Sequence, residues 1–132
     1  MSKDLNITKE IVEKVLYLNC TDEDNVRRLE KSLIKLPMFK KNTDISTDRL
    51  EQIIKKIELK NMIHLAYIMR NVTDCEDIYS CMIKTDTNVE KGRWLVTIYA
   101  KSIWEGLAKS LFFMYFYIMA DRNMIKKLID KK

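Results

Sequence analysis

The chain carries one histidine, His64, inside the apolar run NMIHLAYIM. Hydrolytic machinery is not evident around it, and a lone histidine on an apolar stretch reads as a hydrogen-bonded core residue before it reads as a catalyst. The cysteines are Cys20, Cys75 and Cys81. Cys75 and Cys81 are six positions apart, without the C-x2-C spacing that zinc sites use. Only two glycines occur, Gly92 and Gly106, so no glycine-rich loop can cradle a phosphate. The aromatic run LFFMYFYIM is contiguous and free of arginine. A stacking platform for nucleic acid would interleave the two, so core packing is the better account. EDNVRR and EKSLIKL read as solvated helix faces. From these residues we expect no enzyme, no catalytic residue, no metal and no cofactor.

One pair is left over: Gly92 followed by Arg93, in TNVEKGRWLVTIYAKSIWEG. A glycine inside a helix costs about 1 kcal/mol relative to alanine. Its place at the mouth of an apolar segment therefore calls for a reason, and close approach of another helix would supply one.

The elements that must position such a pair follow from composition and spacing. The 132 residues are 47% hydrophobic and 33% charged, which suits one folded domain spanning residues 1–132. Two glycines and one proline leave few residues for tight turns, so helices joined by polar loops are expected. Apolar residues recur at Ile7, Ile11, Val12, Val15 and Leu16, then at Val26, Leu29, Leu33 and Leu36, each at helical spacing. Thr21 is placed to cap the second of these helices and Pro37 to stop it. Ser46 or Thr47 opens a third, with Leu50, Ile53, Ile54 and Ile57 inward.

Two T-x-x-E patterns, Thr73 with Glu76 and Thr87 with Glu90, resemble capping boxes and predict helix starts. The first would open a short amphipathic helix, EDIYSCMIK. The second would open a helix in which Arg93, Thr97, Lys101 and Glu105 form a narrow polar stripe and nearly everything else is apolar. Such a helix is central and wrapped by others. Gly106 either ends it or allows close packing within a longer helix, and residues 107–129 form the last helix.

The formal net charge is +5, with 24 basic and 19 acidic residues interleaved, too mild and too mixed for an evident nucleic-acid face. The tail RNMIKKLIDKK is basic. It reads as a solubilising helix end, with an acidic membrane or partner as the alternative. The polar opening MSKDLNITKE and the sparse, odd cysteines point to a reducing compartment. No run reaches the roughly 18 apolar residues of a membrane span.

The segment EDIYSCMIKTDTNVEKGRWLVTIYAKSIWEG resembles the first homology region of the Bcl-2 apoptosis regulators, especially divergent viral members. The resemblance implies an all-α fold, a Bcl-2-like helical bundle around a central apolar helix. It implies a viral anti-apoptotic protein in the host cytoplasm, with a peripheral place at mitochondria left open. Its partners would be pro-apoptotic host proteins, held through their amphipathic Bcl-2-homology-3 helix in a hydrophobic groove. By the resemblance Gly92 admits the ligand helix and Arg93 pairs with its aspartate. Ile78, Cys81 and Met82 line one wall and Leu95 and Val96 the floor, with Arg93 at the rim; Glu90 is counted among the ligand-helix-binding residues. Glu90-Lys91 stands where the family has Asn-Trp. An exposed groove also implies a homodimer when empty. Two rivals remain: a Bcl-2-like viral adaptor that inhibits host inflammatory signalling, and a basic helical nucleic-acid-binding domain.

Overall fold

The computed structural model describes residues 9–60, 63–72, 77–85 and 93–130. In chain order they form α1 (Lys9–Leu16), α2 (Glu23–Ile34), a single 3-10 turn (Pro37–Phe39), α3 (Thr47–Lys60), β1 (Ile63–Val72), β2 (Asp77–Thr85), β3 (Arg93–Ala100) and α4 (Ile103–Asp130). The strands make an antiparallel meander in the order β1-β2-β3. The architecture is therefore α+β, and the expected all-α, Bcl-2-like bundle is overturned. Both segments that were to form the groove, EDIYSCMIK and GRWLVTIYA, lie in or lead into strands.

The physical reason lies in side-chain shape. Trp94, Val96, Thr97, Ile98 and Tyr99 are β-branched or aromatic, the types that fit a pleated, half-buried surface. Six of the eight residues of this strand are apolar, a run with no periodicity that separates a buried helix from a buried strand. Here the β-branched content decides. The two T-x-x-E segments fall at residues 73–76 and 87–90, between strands and outside the described residues.

The sheet has two unlike faces, because alternate residues of a strand point to opposite sides. Ile68, Cys81 and Ile98 form one cross-strand row, and Leu65, Ile83 and Val96 the next. Cys81, Ile83 and Ile98 are buried. On the other face Met69, Ser80 and Tyr99 are in register. On that face the outer residues are exposed, Met69 50% and Tyr99 64%, whereas Ser80 between them is buried. Register slips in β1 between Leu65 and Tyr67, and opposite Ile83 and Lys84 in β3, mark irregularities that twist the sheet.

The central helix is α4. It packs against α1, α2, α3 and all three strands. Every residue from 105 to 112 is buried, so this stretch is surrounded on all sides. Gly106 lies inside α4, and a methyl group added to it would sit 2.6 Å from the Cys81 sulfur. The missing side chain is what lets the first turns of α4 settle on β2.

The remaining helices follow the apolar spacing. Leu29 and Leu33 of α2, with Leu36 and Phe39 beyond it, are fully buried. The N-cap of α2 is Asp22, one residue past the expected Thr21, and its carboxylate accepts from the Asp24 amide at 2.9 Å. Ser46 caps α3, accepting from the Arg49 amide at 3.3 Å. Arg49 holds the loop before α3: it donates to the carbonyls of Met38, Asn42 and Asp44 and lies over the Phe39 ring. Trp104 donates its indole N–H to the Ile45 carbonyl at 2.7 Å, joining α4 to that loop. Among the described residues no helix is long and apolar enough to cross a membrane.

Candidate functional site: the open edge of the third strand

The residues expected to form a ligand-helix groove do not come together. Cys81 and Val96 are on the covered face of the sheet, while Ile78 and Met82 are on the opposite face by strand alternation. Leu95 is the unpaired extra residue between Trp94 and Val96. Arg93 opens β3, where its backbone partner is Thr85. Glu90 and Gly92 lie outside the described residues.

A different concavity is built around β3. The strand is the last of the sheet, and among the described residues no other strand pairs with its outer side. A slot of about 230 Å³ runs along that side. One wall is residues 96–99 of β3 and the other is residues 16–19, the turn that leaves α1. Successive strand residues point to opposite faces. Four in a row can border one cavity only along the strand's edge, where the main-chain N–H and C=O groups lie. Tyr17 and Tyr99 stand at its mouth, 83% and 64% exposed.

The base of the slot is an ion pair inside α4. Lys109 Nζ lies 2.6 Å from Glu105 Oε2, with both side chains almost completely buried. The spacing is i, i+4, which puts both groups on one helix face. Neither is left to solvent. Lys109 also donates to the Leu18 carbonyl at 2.7 Å, and Glu105 Oε1 accepts from the Lys101 amide at 2.9 Å. A buried ion pair holds only if further hydrogen bonds satisfy both groups, and these do. The Lys109–Leu18 bond fixes the far wall of the slot, and Asn25 secures the same turn by donating to the Asn19 carbonyl at 2.8 Å. An ammonium has three donors; two of those on Lys109 are engaged in these bonds.

Thiol chemistry is disfavoured at the two described cysteines. Burial, reinforced by the charge of Glu105, pushes the Cys20 thiol up to about 11. Burial does the same to Cys81, also to about 11. A thiolate nucleophile is therefore scarce at neutral pH. Because both values exceed the ordinary 9.0, these thiols favour the folded state below pH 9 and lose that contribution as pH rises toward 11. His64 is remote from the slot, on β1, with Nδ1 3.7 Å from Glu58 Oε2. Among the described residues no cluster of three or more His, Cys, Asp or Glu could hold a metal ion.

Sequence reasoning missed Lys109, Tyr17 and the β3 edge. The Glu105-x3-Lys109 pair had a legible signal: opposite charges at i, i+4 inside WEGLAKSLFFM, where both neighbouring turns are apolar. The edge had none, because strand order is not written in a local pattern. Compared with known proteins, no family model matches the chain, and neither a curated protein nor a solved structure matches it.

Proposed function

We propose that this chain is a peptide-recognition protein. It takes an extended segment of a partner as an added strand along the open edge of β3. The observation that carries this reading is the slot bordered by four consecutive strand residues and by the fixed turn at residues 16–19. An unpaired strand edge presents a row of main-chain donors and acceptors that template another strand. Main-chain bonds would supply affinity, and Tyr17 and Tyr99 would grip alternate side chains. At about 230 Å³ the slot is smaller than the roughly 300–1,000 Å³ of small-molecule pockets. A side-by-side backbone contact needs no such volume. Binding without catalysis carries over from the sequence as a proposal. A helical death-motif ligand has no helical groove between residues 77–85 and 93–100, because both segments are strands.

Selection from a library of unstructured dodecapeptides tests this reading. Selected peptides should lose binding when alternate backbone amides are N-methylated, while methylation at the intervening positions is tolerated. Tyr99→Ala should weaken binding about tenfold, within the range of interface tyrosines. A peptide that tolerates N-methylation everywhere would show that no strand is added.

A second reading is favoured by one observation, the exposed pair Met69 and Tyr99 on one sheet face. Exposed apolar residues in one cross-strand row, flanking Ser80, suit a symmetric dimer. Sedimentation at several concentrations should then show a dimer that Met69→Lys dissociates; a monomer throughout removes this reading.

A further inference from the structure

A second concavity lies on the helical side, between α1 and α2, with a volume of about 500 Å³. Three apolar residues line its α1 side: Ile11, Val15 and Leu18. Four cations join them, Lys14 on α1 and Arg28, Lys31 and Lys35 along or just past α2. Among the described residues no acidic side chain lines it. Ile11 is 41% exposed, whereas Val15 is only 3% exposed. Among the described residues none of the four cations is held in an ion pair, in contrast to Arg27, which faces Glu23 at 3.9 Å.

We propose that this groove binds an acidic amphipathic helix of a partner protein. Three features select that occupant. The lining sets three apolar residues on the α1 side against a cationic row on the α2 side, so the complementary surface is convex, with an apolar stripe beside an acidic one. A bilayer is planar, whereas this site is a concavity between two helices. Arg28, Lys31 and Lys35 recur at i, i+3, i+7, one row about 10 Å long on a helix that rises 1.5 Å per residue. Acidic residues at the same spacing on a facing helix match that row. Single-stranded nucleic acid would require aromatic platforms for its bases, and among the described residues no aromatic side chain lines the groove. Apolar burial gives the affinity, and the charges set orientation and encounter rate. The two concavities share Leu18 but no other lining residue, so variants at Lys31 and Lys35 test this groove without touching the β3 edge.

A fluorescent 18-residue amphipathic helix is the probe, with leucines on one face and glutamates on both flanks. Its binding to the full chain is followed by anisotropy. We expect the glutamate peptide to bind at least tenfold more tightly than the same peptide carrying glutamines, and less tightly as salt rises. The exposed double variant Lys31→Glu/Lys35→Glu should lose at least tenfold affinity while keeping its circular-dichroism spectrum. It should regain binding toward a peptide with lysines in place of the glutamates. Tyr99→Ala should bind the probe as the parent does. Equal affinity for the glutamate and glutamine peptides would overturn the proposal. So would an unaffected double variant, or phosphatidylserine vesicles binding in preference to the peptide.

Discussion

Lys109→Ala is expected to destabilise the protein by about 3–5 kcal/mol, the cost of removing one partner from a buried pair. The loss does not measure what the pair contributes. It arises because Glu105 stays behind, 3% exposed, with the Lys101 amide still donating to Oε1 but no countercharge at Oε2. The contrasting variant is Glu105→Leu/Lys109→Met, which removes both charges and keeps the volume. Such replacements are often neutral or stabilising, so this double variant should fold with a denaturation midpoint close to that of the parent and an unchanged slope. It separates stability from function. Without the ammonium the Leu18 carbonyl loses its donor at 2.7 Å, and the turn that walls the slot is released. Peptide binding should fall although the fold survives. A single variant as stable as the parent would mean that Glu105 reaches water or another donor once Lys109 is gone.

Gly106→Ala gives the second large effect, with a sign that can be reversed. In an exposed helix the substitution would gain about 1 kcal/mol of propensity. At this position the added methyl would lie 2.6 Å from the Cys81 sulfur, closer than real contacts allow. Overpacking a filled core costs about 1–3 kcal/mol, so a net loss of up to about 2 kcal/mol remains. Its other near neighbour, Ala100 Cβ at 3.7 Å, is at ordinary contact distance. The sulfur is then the whole obstacle. In a Cys81→Ala background the same Gly106→Ala change should become neutral or stabilising. Denaturant melts of the four proteins form a double-mutant cycle that reads this coupling directly. Additive losses would place the strain elsewhere than the Gly106–Cys81 contact.

These two sites also show how far the sequence could be read. Leu29, Leu33, Leu50 and Ile54 lie where their spacing placed them, on the buried faces of α2 and α3. Their helices carry polar residues between the apolar ones, so the period is visible. Residues 93–100 lack that contrast, since nearly every residue is apolar, and spacing alone could not choose strand from helix. The chain's few glycines made a sheet look unlikely by composition. They do so for tight two-residue hairpins, which favour glycine; here four and seven residues, 73–76 and 86–92, separate the strands in sequence, and those residues lie outside the described ones. Gly106 was legible as a point of close packing, but its neighbour Cys81 is 25 positions earlier in the chain, and no local pattern names it. For the same reason Glu105 was read as part of a polar stripe and not as the base of a slot. The expected resemblance rested on about thirty residues whose order matched a helix–loop–helix pattern; the sheet gives the same residues a different geometry.

The most direct test of strand addition is amide hydrogen exchange in β3, read residue by residue, with and without a bound N-methyl-sensitive peptide. Main-chain groups on the outer edge of residues 96–99 have no strand partner among the described residues and should exchange fast in the free protein. The account predicts that peptide slows exchange at alternate residues of this stretch, those whose N–H points away from β2, and leaves the β1–β2 pairing unchanged. Peptide binding that leaves exchange at residues 96–99 as it was would contradict it.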